Sequence, residues 1–350
     1  MSDMAVTAWD VVCHYHEPLQ APLLREAVLP ALAEGAHLER GWLHGPHLRI
    51  RVPEAEAAEK LAERLRSHLS QHPSRAGLSD VDLQELADAA GRAELVPPPY
   101  GPFHPDNTVL VEQTRAAGSL RDHVLRLGVP AVAATVADIG AHADRTGARV
   151  RAVMTVLSAH AEASPGGLDK RYFSYQSHLE AHLHVHDADG RIRAGHDAMW
   201  LAHGDRARSI AAHADDTTDP LVAAWRDWGE AARSAAAEAY DRGELRSTAK
   251  AETVARAAAF DDPVTAKTYR SADISEFHQL LNAVWTPDDG DGGEFEIERF
   301  VMNILYLLLA VCDVRPAERY LAASLVCRAV ESLSGLTWRA RIERAREGAR

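Results

Sequence analysis

Residues 38–52 read Leu-Glu-Arg-Gly-Trp-Leu-His-Gly-Pro-His-Leu-Arg-Ile-Arg-Val. Two short apolar–polar alternations flank His44-Gly45-Pro46, a turn signal, so the stretch predicts paired strands over Leu38–Leu43 and Leu48–Val52. Upstream, Ala5–Tyr15 is rich in β-branched and aromatic residues and reads as a strand, and Leu23–Ala33 has helical spacing. Downstream, Glu54–His72 repeats Ala and Leu every three and four residues, the pattern of an amphipathic helix. The β-α-β-β-α order is that of a ferredoxin-like half.

After it, Val96-Pro97-Pro98-Pro99-Tyr100-Gly101-Pro102 breaks regular structure. Beyond that point the chain predicts helices over Ser119–Leu127, Val129–Ala143, Arg149–His160, the Ala-rich span Asp205–Arg242 and much of Glu296–Arg344. A strand is expected near Arg191–Ala194, and Asp288–Gly293 reads as an acidic loop. The fold class is therefore α+β. We expect one domain over 1–350, with a small α+β subregion (1–95) and a mainly helical one (96–350).

Composition narrows the function. Of 350 residues, 46% are apolar and 25% charged, ordinary for a globular protein, and the net charge is −13. That balance argues against nucleic acid as a partner, because a basic surface supplies such affinity. The three cysteines, Cys13, Cys312 and Cys327, form no CxxC. The first residues lack a secretion signal, and the longest apolar run, Ile304–Cys312, is too short to span a bilayer. A cytoplasmic location away from the membrane is expected. There is no P-loop and no GxGxxG, so nucleotide-dependent chemistry lacks support.

Four segments could carry chemistry. On a strand, His47, Arg49 and Arg51 share one face, which suits recognition of carbonyl or carboxylate groups or else an ion-paired surface. The Pro-rich loop offers Tyr100, His104, Asp106 and Asn107, for binding or for building a turn. Phe173–His186 holds four histidines, beside Ser174, Tyr175 and Ser177. Either strand or helix would align three of these histidines, but the spacing alone defines no metal site, and hydroxyls next to His178 suit proton shuttling. No GxSxG surrounds either serine. Finally, Arg299, Asn303 and Tyr306 make one polar stripe on an otherwise apolar helix, satisfying core hydrogen bonds or lining a pocket.

Together these segments resemble one family. The strand ending in Tyr15-His16-Glu17-Pro18, then Gly45-Pro46-His47-Leu48-Arg49-Ile50-Arg51, resembles the start of lantibiotic dehydratase C-terminal domains. Ser174-Tyr175-Gln176-Ser177-His178-Leu179-Glu180-Ala181 is similar to that family's Ser-Tyr-x-Ser-His-x-Glu-Ala stretch. In the full-length dehydratases the domain eliminates glutamate from glutamylated Ser or Thr. The arginine associated with that activity is matched by Arg49, but Val96 and Pro99 stand where an acid and an arginine belong, and no histidine lies in Phe300–Tyr306. Arg299-Phe300-x-x-Asn303-x-Leu305-Tyr306 instead resembles the stand-alone relatives that build the central nitrogen ring of thiopeptides.

That resemblance implies a formal [4+2] cycloaddition between two dehydroalanines of a modified precursor peptide, then loss of water and of the leader peptide, giving a pyridine. It implies catalytic roles for Tyr175, Ser177, His178 and Tyr306, and substrate contacts from His47, Arg49, Arg51, Tyr100, His104, Arg299 and Asn303. No cofactor and no metal would be required. The partner is the leader-bearing peptide, with other biosynthetic enzymes as further candidates. A glutamate-eliminating subunit, supported by Arg49, and a leader-binding scaffold using a sheet edge are the alternatives.

Overall fold

The computed structural model describes residues 7–115, 119–245, 255–258, 260, 274–284 and 292–348. The chain divides into two compact units, Met1–Ala137 with Met302–Asp313, and Asp138–Val301 with Val314–Arg350.

The first unit is built on four antiparallel strands, β1 (Thr7–His14), β2 (His37–Gly41), β3 (His47–Val52) and β4 (Thr108–Arg115), in the order β2-β3-β1-β4. That order completes the ferredoxin-like arrangement. Between β1 and β2 lies an irregular helical passage, Ala21–Ala31, in place of the expected regular helix. Its first amides, of Gln20 and Ala21, donate to the Asp313 carboxylate at 2.8 and 2.6 Å, and Arg40 adds a bond at 3.2 Å. Helix α1 (Ala55–Gln71) buries Ala58, Leu61, Leu65 and Leu69, as its spacing predicted. On the sheet Val11, Cys13, Leu38, Leu48, Ile50 and Val52 are buried core.

Two elements here escaped the sequence reading. Helix α2 (Asp80–Glu94) starts at a Ser79–Asp82 capping box, and the Pro-rich stretch is an internal loop after which the chain returns as β4. Tyr100, on that loop, is buried, and its hydroxyl donates to Val96 O at 3.0 Å. Its ring lies where a Cβ on Gly91 would stand. Gly91→Ala should therefore lower stability by about 1–3 kcal/mol through overpacking, although alanine is the better helix former. Urea titration checks this, and a stabilised variant would refute it.

Helices α3 (Leu120–Leu127) and α4 (Val129–Gly140) follow. The second unit then surrounds α5 (Arg145–Glu162), which is buried without interruption from Ala148 to Ala161. Against it pack α6 (Gly167–His186), α7 (Arg191–Ala212), α8 (Pro220–Asp241) and α11 (Pro316–Ser334). Shorter α9 (Glu276–Asn282) and α12 (Trp338–Gly348) and the 20-residue α10 (Gly292–Val311) are further helices. The Ala-rich span is two helices rather than one. Asp219 caps the second by accepting from Leu221 N, and Pro220 opens it. Its Ala232, Ala236 and Ala239 are buried, and Gly229 lets α8 approach Ala163 and His160 at the end of α5.

The strand expected near Arg191–Ala194 is instead the first turn of α7. Asp187 accepts from the amides of Ile192 and Arg193 at 2.7 and 3.1 Å, which favours a helix start there. Asp288–Asp291 lie outside the described residues, and Gly292 and Gly293 open α10. Among the described residues no single helix is long and apolar enough to cross a membrane; α3 and α4, bent by 42°, reach that length and apolarity only as a pair.

His160 is buried against Trp228, neither ring nitrogen has a hydrogen-bond partner, and burial, with Arg171 and Arg233 nearby, pushes it down to about 3. It is neutral when folded, whereas the unfolded chain takes up the proton below about pH 6.5. This contribution is complete above 6.5 and falls by about 1.4 kcal/mol per pH unit from 6.5 toward 3. His160→Phe should flatten the pH dependence of the urea midpoint in that window; identical slopes would exclude the assignment.

Candidate active site

On the sheet, alternation sends Asp10, Val12 and His14 of β1 to the same face as Arg51, Arg49 and His47, their partners on β3. The three sequence-predicted residues are not equivalent there. Arg51 forks onto Asp10 at 2.8 and 3.0 Å and onto Asp122 at 3.2 Å, so it serves the ion-paired reading. Arg49 is half-exposed, and its Nε lies 3.9 Å from Asp10 without a hydrogen bond. His47 is buried, donates from Nδ1 to Gly45 O at 2.9 Å, and is pushed down to about 4 by burial.

The Pro-rich loop packs against the same end of the sheet. Tyr100 is a core residue, as described. Asp106 accepts from His16 N and Ser74 Oγ, and Asn107 brackets Ser74, so both build the turn. His104 is half-buried, its ring 4.5 Å from that of His14. His14, His16 and His44, which the sequence reading passed over, stand beside it.

In the second unit, α6 is a helix throughout, which settles the register of the histidine-rich segment. Tyr175 is fully buried and donates to Leu157 O at 2.7 Å, joining α6 to α5. Its proton goes to a backbone carbonyl, so the hydroxyl as placed ties two helices together, and a catalytic role for it rests on the resemblance alone. Ser177 points elsewhere: its Oγ lies 2.9 Å from His278 Nε2, and His278 Nδ1 lies 2.6 Å from Ser275 Oγ. The resulting Ser177–His278–Ser275 chain joins residues about a hundred positions apart. His278 went unnoticed in the sequence for that reason; only Ser275, as cap of α9, carried a local signal.

His178 is half-buried, and burial, reinforced by Arg319, His278 and Arg299, pushes it down to about 4. At neutral pH it therefore offers one N–H donor and one lone pair. His182, one turn on, stacks on Tyr320 with centroids 3.8 Å apart. Arg299 is exposed, and further along α10 Asn303 is exposed and Tyr306 half-buried. The arrangement comprises a neutral imidazole, an oriented hydroxyl and nearby guanidiniums, and suits proton relocation without a strong base.

The class defined by these features is an α+β protein pairing a ferredoxin-like unit with a helical unit that carries neutral imidazoles. No family model and no curated protein matches the sequence. Among solved structures, the fold is shared with "Pyridine synthase, TbtD, from thiomuracin biosynthesis", with a TM-score of 0.70 at 21% identity, over 94% of this chain and 99% of that one. It is shared also with TsrL, with a TM-score of 0.59 at 17% identity, over 97% of this chain and 98% of that one.

Proposed function

We propose that this chain is a thiopeptide biosynthetic enzyme, and within that class a pyridine synthase. The observation that carries the reading is the end-to-end likeness of fold to TbtD, covering 99% of that chain. The substrate is then a modified precursor peptide with two dehydroalanines, and the product a macrocycle closed by a pyridine.

The first step converts the amide preceding one dehydroalanine into its iminol, so that the proton moves from nitrogen to oxygen. Neutral His178 can accept the first and donate the second, with Ser177, oriented by His278, as the neighbouring donor. Two carbon–carbon bonds then form between the 2-azadiene and the second alkene. Loss of water and expulsion of the leader peptide as its amide make the ring aromatic. Orientation of the two alkenes supplies much of the acceleration, worth up to ~7–11 kcal/mol. Arg299 serves to hold the peptide; the resemblance alone assigns Asn303 to peptide contact, Tyr306 to catalysis and Arg49 to substrate or leader contact.

Mass spectrometry after incubation with a leader-bearing, azole- and dehydroalanine-containing peptide tests the reading. A macrocycle together with released leader amide is expected. Unchanged substrate, with glutamate lost from a glutamylated peptide instead, would replace it by elimination.

A further inference from the structure

At the end of the sheet, beside the turn at Gly45, imidazoles arrive from separate stretches of chain. His14 closes β1, His16 follows it, His44 precedes Gly45 and His104 comes from the Pro-rich loop. His14 is 1% exposed and His16 5%, yet both ring nitrogens of His14 and Nε2 of His16 have no hydrogen-bond partner. A buried polar nitrogen without a partner is costly, and several together call for a common ligand. Gly45 has φ +107°, and a Cβ there would lie 3.2 Å from His16 Nε2 and 3.8 Å from His14 Nδ1. Both nitrogens thus face the open side of one glycine.

We propose that His14, His16 and His104 bind a divalent transition-metal ion of the zinc, cobalt or nickel type beside Gly45, fastening the Pro-rich loop to the end of β1. Nitrogens about 2.0–2.1 Å from one ion place their ring centroids roughly 5 Å apart. The His14 and His104 centroids, 4.5 Å apart, fit that spacing after modest rotation of the half-buried His104 ring. Imidazole donors select borderline metals over magnesium or calcium, which prefer oxygen. The backbone around the ligands is held as well, since His44 Nδ1 donates to Pro102 O at 3.1 Å and the His16 amide donates to Asp106 at 2.9 Å. The more compact trio His37, Glu39 and Asp122 is a weaker candidate. Arg121 and Arg51 already occupy its two carboxylates and would repel a cation.

The full-length protein, stripped with a chelator, is titrated with Co2+ and Zn2+ by calorimetry, visible absorption and thermal melting. One equivalent should bind, with the d–d band of imidazole-ligated Co2+ and a raised melting temperature, and Mg2+ should reproduce none of it. His104→Ala, a half-buried position that leaves the core intact, should weaken binding more than about tenfold. The neighbouring histidines of α6, half-buried His182 and exposed His186, are the decoy to exclude, so the His182→Ala/His186→Ala double variant should bind as the parent does. Failure to bind, binding unaffected by His104→Ala, or binding abolished by the α6 double variant would each overturn the site. These readouts are independent of turnover.

Discussion

Replacing His178 by phenylalanine is expected to lower macrocycle formation by roughly 10²–10⁴-fold at saturating peptide, the usual contribution of a positioned proton-transfer group. Leader-peptide affinity should change little, because in the proposed reaction the side chain acts on the amide that rearranges. The pH profile provides a second reading. Burial holds His178 down to about 4, so it stays neutral through the range in which an ordinary histidine charges. Turnover should accordingly hold steady as pH falls past 6.5 and decline only as pH approaches 4, when the lone pair is lost. Single-turnover mass spectrometry across pH measures both. Undiminished turnover in His178→Phe would remove the site from α6.

The second large effect concerns stability. Arg149 and Glu318 are both buried and meet through Nε at 2.9 Å and Nη2 at 2.7 Å. Burial alone would raise the Glu318 carboxyl, but hydrogen bonds from Arg149 and Arg315 outweigh it and hold it below the usual range. Glu318→Gln leaves the guanidinium buried beside a neutral partner and should lower unfolding free energy by about 3–5 kcal/mol. Replacing both residues with apolar ones of similar volume should cost far less. Urea denaturation of the single and paired variants decides the matter. A single-variant loss below about 1 kcal/mol would mean that the pair is solvated.

The fold was legible where periodicity and turn chemistry agreed. The hairpin about His44-Gly45-Pro46, the leucine face of α1 and the apolar run in α10 stand close to their expected places. The errors have physical causes. The Pro-rich stretch resembles a boundary, so the alternation of Thr108–Arg115 was not sought as a fourth strand. Asp187 caps a helix that Arg-Ile-Arg disguised as a strand. The irregular passage at Ala21–Ala31 depends on Asp313, nearly three hundred residues away, which no local pattern encodes. For the candidate site, His178 and Ser177 stand out through their neighbours in sequence. His278 and the group around His14 exist only through folding, and Tyr175 shows that a functional-looking residue can be committed to the core.

Asp313 also bears on how the chain is made. The first unit takes its last helical segment, Met302–Asp313, from the far side of the intervening 138–301 stretch. A ribosome synthesising the protein releases the sheet early, and the carboxylate that receives Gln20 and Ala21 follows Gln20 by 293 residues. The amino-terminal unit therefore cannot finish folding first, as sequential domains commonly do. A truncation anywhere before residue 313 would strand it incomplete, with the amides of Gln20 and Ala21 unanswered.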